Sequence, residues 1–433
     1  MNWHWLSNWS GRLFAAALLA TAAVVAGDAL TLAECERLAL GHNDRIAAAN
    51  ESWEAERARI DSAGALPDPQ LGFTYYVEEV QTRVGPQEQA ISLNQMIPWP
   101  AKLSAKRREQ AEWSEAARHR FQGTRLDVLF RVRTFWYELA YIGRARERVR
   151  ANVELLRSVE EAMRAQYRTG SGTLAKVLSL QLERSHTEDR LKVLDSREKR
   201  LLASLNETLG RDPHLPLARK GDHTPAPLPS PDDLRAAVLT ANPKLLAAQR
   251  AAAAGAAGLD YARATNRPDF TVGASWVMTG DRTDMDVSGN GRDPVLLSVR
   301  MTLPIWPAKN RAVRAQAAAR RRALESTSRD TRQRLLAKLE VLLVRHNEAI
   351  RQENLYRKTL IPQAEQAYAS LRKSFAAGQV SFANLIDSQR RLLELQLQTE
   401  KAVLEKHQTS AAVHVMRGEH EGAQPSADKK TTP

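Results

Sequence analysis

The stretch YRTGSGTLAKVLSLQ, from Tyr167 to Gln181, returns later in the chain as FAAGQVSFANLIDSQ, from Phe375 to Gln389. The leading aromatic residue, the glycine three places on and the final glutamine of the two versions are each 208 residues apart. A constant offset over the whole stretch indicates that the chain is a tandem duplication.

Each version has the pattern of a tight turn between two helices. Gly170 and Gly378 can adopt the left-handed backbone conformation that ends a helix. The side chain of Ser171 or Thr173, and that of Ser381 in the second copy, can accept a hydrogen bond from the free N–H groups that begin the next helix. We therefore predict two helical hairpin tips, at residues 168–173 and 376–381. An ordinary turn in a helical bundle would explain either copy alone.

The segments around the tips predict unusually long helices. Residues 101–167 contain no proline, and at about 1.5 Å per residue they form a helix of roughly 100 Å. The second long helix, 308–375, is interrupted by Pro362, which should kink it. Return helices follow at 174–208 and 382–416. Ordinary globular domains rarely contain helices of this length.

The hydrophobic period changes from 3.6 to 2 once in each half. Helical patterns over Leu32–Ala65 and Leu234–Ala264 end at prolines, and strands that are apolar on one face follow. We predict hairpins at about 69–98 and 268–304, with strands of roughly nine to eleven residues. Tilted strands of that length can cross a bilayer.

The two hairpins end in nearly the same sequence, IPWPAK and LPIWPAK. Trp99 and Trp306 are predicted to lie at the membrane interface, where an aromatic girdle surrounds a membrane-spanning barrel. The alternative is that both tryptophans are core residues at a domain corner.

The remaining segments complete the domain organisation. The apolar run 13–26, LFAAALLATAAVVA, predicts a signal peptide over residues 1–26, with an uncleaved anchor as the alternative. The first structural repeat is then 27–210, a proline-rich linker covers 211–231, the second repeat is 232–416, and 417–433 is a polar tail that we expect to be disordered.

The composition excludes several classes of function. The chain of 433 residues has a formal net charge of +13, but its arginines and lysines alternate with acidic residues along helices, so nucleic acid is not an expected partner. The single cysteine, Cys35, excludes an intramolecular disulfide. No catalytic motif or paired metal ligands are visible, so we expect neither an enzyme nor a cofactor.

A sequence near the second hairpin turn imitates a metal site. Asp284 to Gly289 reads like the start of an EF-hand loop, but Val295 stands where the bidentate glutamate should be. The alternatives are a calcium site and a solvated turn.

Four strands per chain cannot close a barrel, and an open sheet edge is not tolerated in lipid. Several chains would therefore have to contribute. Three chains would give twelve strands, an even number within the range of outer-membrane barrels.

The order of helix, hairpin, very long helix, tip and return helix, performed twice, resembles the TolC family of outer-membrane efflux proteins over about Leu32–Val415. The resemblance implies a homotrimer with a twelve-stranded β-barrel in outer-membrane lipid and an α-helical, coiled-coil tunnel in the periplasm. It also implies a passive exit duct of a tripartite efflux pump, docked to a periplasmic adaptor (membrane fusion) protein that serves an inner-membrane transporter.

The same resemblance implies where the aperture and the docking surface lie. In the family, acidic residues six and nine positions beyond the tip glycine ring the periplasmic aperture. Those positions hold Lys176 and Ser179 in the first copy and Asn384 and Asp387 in the second. The adaptor-docking tips would comprise Tyr167, Gly170, Ser171, Gly172, Thr173, Phe375, Gly378, Gln379, Val380 and Ser381.

Of the aperture residues, Asp387 alone is acidic. Three copies of Asp387 would attract cations, and Lys176 could form a salt bridge with an acidic neighbour that holds the mouth closed. The alternative is that both are solvated helix charges.

A second hypothesis concerns a different class of protein. The chain could be a periplasmic coiled-coil scaffold whose hairpins are small soluble sheets and which forms no pore. The apolar faces of all four strands argue against it, since soluble hairpins would not need so much outward apolar surface.

Overall fold

The structure is a computed structural model that describes residues 29–418. The predicted signal peptide lies outside these residues, as does residue range 419–433 of the predicted tail.

Helices and strands follow one another in the same order in both repeats. The first repeat contains β1 (Ala29–Leu30), α1 (Leu32–His42), α2 (Asp44–Gly64), β2 (Gln70–Thr82), β3 (Gly85–Ile97), α3 (Pro100–Arg168) and α4 (Leu174–Thr208). After β4 (Ala218–Arg219), the second repeat contains α5 (Pro231–Ala241), α6 (Pro243–Ala264), β5 (Phe270–Thr279), β6 (Val295–Met301), α7 (Pro307–Leu355), a π-helical turn (Tyr356–Leu360), α8 (Ile361–Ala376) and α9 (Phe382–Met416).

The leading segment of each repeat is two helices and not the single helix that its periodicity predicts. Asn43 and Asn242 have extended backbone conformations and interrupt the helix. Each asparagine then caps the next helix: the Asn43 side chain accepts hydrogen bonds from the N–H groups of Arg45 and Ile46, at 3.1 and 3.3 Å. The side chain of Asn242 caps α6 in the same way.

The second long helix contains one residue more than the first. Helix α3 has 69 residues, whereas α7, the π-helical turn and α8 have 49, 5 and 16. The sequence shows the same difference, because Trp99 and Trp306 are 207 residues apart while the tips are 208 apart. The predicted interruption at Pro362 is therefore a π-helical turn just before the proline, which accommodates the extra residue.

Two compact units make up the described chain. The first contains residues 29–42, 131–224 and 354–404. Near the tips its core joins α3 and α4 to α9 through the apolar side chains of Leu156, Met163, Val177, Leu180 and Ile386. Further along α3, Trp136, Tyr137 and Ile142 are fully buried, and Cys35 is buried in α1.

The part of the predicted 211–231 linker that belongs to the first unit, residues 211–224, is not only an extended linker. Its strand β4 pairs in parallel with β1, and the backbone N–H of Lys220 donates a 2.7 Å hydrogen bond to the Leu30 carbonyl. The guanidinium of Arg219 lies 4.7 Å from the centre of the Trp136 ring. The segment therefore covers part of the core.

The second unit contains residues 43–130, 225–353 and 405–418. Its four-stranded antiparallel sheet has the order β2, β3, β5, β6. The strands have 13, 13, 10 and 7 residues, a wider range than the predicted nine to eleven. Strands β2 and β6 form the edges of this sheet.

The helices of the second unit follow the same order as the strands. Gln110 of α3 bonds to Glu56 of α2 at 2.7 Å. On its other side α3 meets α6, where Arg250 lies 3.2 Å from Glu112. Gly255 of α6 in turn packs closely on α7. The layer therefore runs α2, α3, α6, α7.

Within residues 29–418, no helix has an apolar stretch long enough to cross a membrane.

Candidate functional site

The two tips have the same hydrogen-bond pattern, displaced by 208 residues. In the first tip, the N–H groups of Gly170 and Ser171 donate to the carbonyls of Tyr167 and Gln166, at 3.1 and 3.0 Å. In the second, those of Gly378 and Gln379 donate to Phe375 and Ser374, at 3.0 and 2.9 Å. The duplicated sequence therefore encodes one turn geometry twice.

Both turns require the glycine that the sequence places there. Gly170 has a φ of +77° and Gly378 a φ of +72°, in the left-handed region. Gly172 is favoured for a steric reason, because a Cβ atom there would make a tight contact of 3.0 Å with the backbone nitrogen of Tyr167. The predicted role of the tip glycines in ending the long helices is confirmed.

The predicted capping of the return helices holds in only one copy. The Ser381 hydroxyl accepts a 3.3 Å hydrogen bond from the Asn384 N–H group. In the first copy, Thr173 precedes α4 but its side chain makes no capping bond. Ser171 instead donates back to the Gln166 carbonyl at the end of α3, at 3.1 Å. The capping prediction is therefore wrong for Ser171 and Thr173, because Ser171 stabilises the other end of the turn.

Most of the predicted docking residues present side chains or backbone to solvent. The exposed positions are Tyr167, Gly170, Ser171, Thr173, Gly378, Gln379 and Ser381. The partly buried ones are Gly172, Phe375 and Val380. Phe375 packs against Phe382 across the second turn in a tilted arrangement, with ring centres 5.9 Å apart.

The four predicted aperture residues lie on the first two turns of α4 and α9. Ser179, Asn384 and Asp387 are exposed, and Lys176 is partly buried. The Lys176 ammonium group lies 5.9 Å from the centre of the Phe375 ring, so among the residues that the structure describes it contacts an aromatic face and not a carboxylate. The predicted salt bridge between Lys176 and an acidic neighbour therefore stays a prediction.

Asp387 belongs to a charged network that joins the two return helices. A carboxylate oxygen of Asp387 lies 3.5 Å from Arg390, one turn further along α9. The Arg390 Nε donates a 2.9 Å hydrogen bond to Glu183 of α4. Arg390 therefore holds α4 and α9 together and carries the positive charge nearest to the predicted aperture acid.

Gln181 and Gln389, the last residues of the two repeated stretches, each form a hydrogen bond with a polar side chain of α3. Gln389 donates to Asn152 at 2.9 Å in a buried contact. Gln181 donates to Glu160 at 3.1 Å. Burial raises the pKa of Glu160, but hydrogen bonds from Arg164 and Gln181 and the charge of Arg184 outweigh it, so the pKa is lowered below the ordinary 4.5. Glu160 thus stays ionised at neutral pH.

A polar groove runs between α4 and α9 just beyond this network, with a volume of about 710 Å³. It is lined by both signs of charge, and Arg190 lies 3.6 Å from Glu394 across it. Neither Arg390, Glu183 nor this groove was predicted from the sequence. The repeated glutamines Gln181 and Gln389 were the only sequence signal near these features, since they mark where each return helix contacts α3.

The two tryptophans at the strand exits have different environments. Trp306 is 67% exposed. Trp99 is partly buried beside Phe270, with ring centres 6.4 Å apart, and its backbone N–H donates to Asp269 at 3.0 Å. The interface role of both residues stays a prediction.

The EF-hand-like sequence forms part of the turn between β5 and β6. Both carboxylate oxygens of Asp284 bond to Arg282, at 2.6 and 3.0 Å. The charge of the first candidate calcium ligand is therefore neutralised by a neighbouring arginine. The part of the chain that the structure describes contains no group of three or more histidine, cysteine or carboxylate side chains placed to hold a metal ion.

Comparisons with known proteins were made for both sequence and fold. Residues 234–419, the second repeat, match the family described as outer membrane efflux protein. No curated protein sequence matches the chain.

Solved structures match both repeats at low sequence identity. CusC superposes with a TM-score of 0.77 at 14% identity, covering 90% of this chain and 92% of that one. VceC from Vibrio cholerae gives 0.75 at 18%, covering 89% and 96%. The open state of MtrE from Neisseria gonorrhoeae gives 0.69 at 15%, covering 89% and 88%. The second repeat therefore carries the sequence pattern of the outer membrane efflux protein family, and the described chain shares the fold of CusC, VceC and MtrE.

Proposed function

We propose that three copies of this chain form a passive exit duct in the outer membrane, and that the duct serves a tripartite efflux pump. The observation that carries the proposal is the four-stranded sheet. It exposes one apolar face and leaves both edge strands, β2 and β6, free on one side among the residues that the structure describes.

The apolar face is continuous across all four strands. Register partners form one row of Phe73, Ile91, Trp276 and Val295, and the next row of Leu71, Leu93, Ala274 and Leu297. Among the larger members of these rows, exposure ranges from 38% for Ile91 to 85% for Leu297. The intervening row, Gly72, Ser92, Ser275 and Leu296, is mostly small and polar. An amphipathic sheet of this kind suits a wall between lipid and water.

Closure of the sheet requires further copies. Unpaired edge groups cost several kcal/mol each in hydrocarbon, so β2 and β6 must pair within the membrane. If β6 of one copy pairs with β2 of the next, three copies close a twelve-stranded barrel. The helices that follow the strands in the chain would continue the wall into the periplasm.

The tips supply the surface for a periplasmic adaptor. Beside them, Leu174, Leu178 and Leu182 form an apolar row on α4 and are 49%, 54% and 74% exposed. Exposed apolar rows of this kind mark protein interaction sites. The adaptor in turn would connect the duct to an inner-membrane transporter, whose identity would set the exported solute.

The proposal is tested by extracting the full chain from outer membranes. We expect salt washes to leave it in the membrane, detergent to release a trimer by light scattering, and the trimer to conduct ions in planar bilayers. A soluble monomer released by salt would contradict the proposal and favour the periplasmic scaffold.

Adaptor docking is tested by placing a photo-crosslinking residue at Gln379 in cells. We expect it to capture a protein of the periplasmic adaptor class, identified by mass spectrometry. The same residue placed at Lys106, on the exposed side of α3, is the matched control. Equal capture at both positions would contradict docking at the tips.

A further inference from the structure

A tryptophan and two arginines form a cluster where α3 and α7 approach each other in the second unit. The guanidinium carbon of Arg120, two turns further along α3, lies 6.0 Å from the centre of the Trp113 ring. The guanidinium carbon of Arg320 on α7 lies 5.9 Å from the same ring. Trp113 is partly buried, and both arginines are exposed. One aromatic ring therefore holds two cations close together.

Both arginines of the cluster keep their positive charge unpaired. Among residues 29–418, neither Arg120 nor Arg320 forms an ion pair. The acids nearest to them in the sequence are already paired with other arginines: Glu112 with Arg250, Glu115 with Arg118 and Glu325 with Arg321. A guanidinium that lies over an aromatic face retains N–H donors along its edge. Both side chains can therefore still bind an anion.

The cluster lies beside a helix whose two neighbours are drawn to one side. A Cβ atom on Gly258 of α6 would lie 2.8 Å from the carboxylate of Glu109 on α3, and one on Gly255 would lie 3.3 Å from the Cα atom of Arg321 on α7. These glycines are three residues apart, so they lie only about 60° apart around the helix axis. In a flat layer the neighbours would lie on opposite sides of α6. The layer is therefore curved, and its concave side is the one where α3 and α7 converge.

The small residues of α6 allow the cluster to form on this concave side. Residues 251–258 read AAAAGAAG, so no long side chain of α6 separates the two long helices there. Trp113 and Arg320 are next in the chain to residues that contact α6, and their own contact crosses this stretch. When a curved layer closes into a tube, its concave side faces the interior. The proposed duct would therefore carry the cluster on its inner wall.

We propose that Trp113, Arg120 and Arg320 form a binding site for anionic solutes on the inner wall of the duct, and that the duct exports small molecules with a carboxylate, sulfonate or phosphate group. This inference rests on the proposed function and adds the class of solute to it. Two guanidinium groups beside one ring can hold such a group through several charge-assisted hydrogen bonds.

Assembly would strengthen the preference for anions at this site. Three copies, each with two arginines, would place six guanidinium groups at one level of the duct. A passage with walls of low dielectric focuses the field of such charges and raises the local concentration of counter-ions. Asp387, the acid of the proposed aperture, belongs to the first unit and would also act on ions that cross the duct. The test therefore measures binding and not ion selectivity.

The probe is a pyrene trisulfonate, a fluorescent aromatic anion, and its binding to the full-chain trimer in an uncharged detergent is measured by fluorescence anisotropy. We expect the wild-type trimer to bind the probe at low ionic strength, and higher salt to weaken binding. Arg120→Gln/Arg320→Gln should weaken binding by about tenfold or more, because the double substitution removes both charged donors. A wild-type trimer that does not bind the probe would overturn the inference.

The matched control is Arg108→Gln/Arg311→Gln, which removes the same charge from exposed positions of the same two helices. Around the helix axes, Arg108 lies about 140° from Trp113 and Arg311 about 180° from Arg320. The control should bind the probe as the wild type does. Equal loss of binding in both double variants would overturn the inference, because net charge alone would then explain binding. A wild-type chain that forms no conducting trimer would instead contradict the proposed function.

A second measurement shows whether the site lies in the conducting path. The same probe should reduce the single-channel current of the wild-type trimer in planar bilayers. The block should be weaker in Arg120→Gln/Arg320→Gln and unchanged in Arg108→Gln/Arg311→Gln. Binding of the probe without block of the current would place the cluster outside the duct and overturn the inference.

Discussion

At the scale of single residues, the proposed docking surface and aperture depend on the glycines and charged side chains at the tips. Gly170 and Gly378 adopt a conformation that other residues rarely take. Arg390 links Asp387 to Glu183 and so joins α9 to α4. The tips are therefore rigid turns whose neighbouring charges are already organised within one chain.

Replacing Gly170 with alanine should strain the first tip. Nothing lies within 4 Å of a Cβ atom at this position, so the cost is the left-handed backbone alone, about 1–2 kcal/mol. We expect faster amide hydrogen exchange at residues 168–174. Gly143→Ala, in the interior of α3 with equally free space, is the control and should stabilise the helix by about 0.5–1 kcal/mol. Equal exchange at the tip in both variants would contradict the prediction.

Asp387→Ala should weaken the block of single-channel current by multivalent cations. Its carboxylate is exposed and would be repeated three times around the proposed aperture, whereas the positive charge of Arg390 would remain. Asn384→Ala, on the same helix, removes no charge and should leave the block unchanged. Unaltered block in Asp387→Ala would show that this acid does not line the aperture.

At the scale of elements, the two long helices differ by one residue, and the π-helical turn is where that residue is placed. Because the turn absorbs the extra residue, the side chains after it point in the same directions around the helix axis as their counterparts in the uninterrupted α3. Its cost is tolerated because tertiary contacts before and after the turn fix both segments. The sequence predicted an interruption from Pro362 but not its form.

Deleting Lys358 from the π-helical turn should convert it to ordinary α-helix with little loss of stability. The deletion makes the second long helix as long as the first, so α8 would keep its contacts. Deleting Arg150, the counterpart of Lys358 in α3, should instead put the rest of that helix out of phase with its neighbours and lower the midpoint of thermal unfolding strongly. Circular dichroism melts of the two deletion variants would measure the difference, and equal melting points would contradict the prediction.

At the scale of the whole molecule, the proposed trimer accounts for the exposed apolar face and the free edges of the sheet. In that trimer its apolar rows would face lipid, and its edge strands β2 and β6 would pair with other copies. Assembly in a membrane would therefore complete the sheet.

The two faces of the sheet should respond differently to a charge. Leu297→Arg would place a guanidinium on the predicted lipid face and should cost about 2–4 kcal/mol near the bilayer centre, which would reduce the amount of trimer in outer membranes. Ser298→Arg, one residue along β6 and on the other face, should assemble and alter conductance. Immunoblots of membrane fractions would measure assembly, and equal loss in both variants would contradict a lipid-facing role for Leu297.

The sequence by itself determined the duplication, the tips and the strand faces. Each depends on local signals: a glycine for a left-handed turn, a period of 2 or 3.6, and a fixed offset between repeats. Hairpin positions and the paired glutamines could be identified for the same reason. Strand lengths could not be predicted accurately, because pairing with neighbouring strands sets them. The helix breaks at Asn43 and Asn242 were not predicted, because they depend on capping hydrogen bonds.

The tertiary structure alone decided which side chains meet across distant segments. The link from Glu183 to Arg390 joins residues 207 positions apart in the chain, and no sequence pattern specifies that pairing. It likewise decided the order of α2, α3, α6 and α7, which leaves α2 and the strongly basic first part of α7 on the outside. Charge along a helix is readable from sequence, but the partner that neutralises it depends on which helices pack side by side.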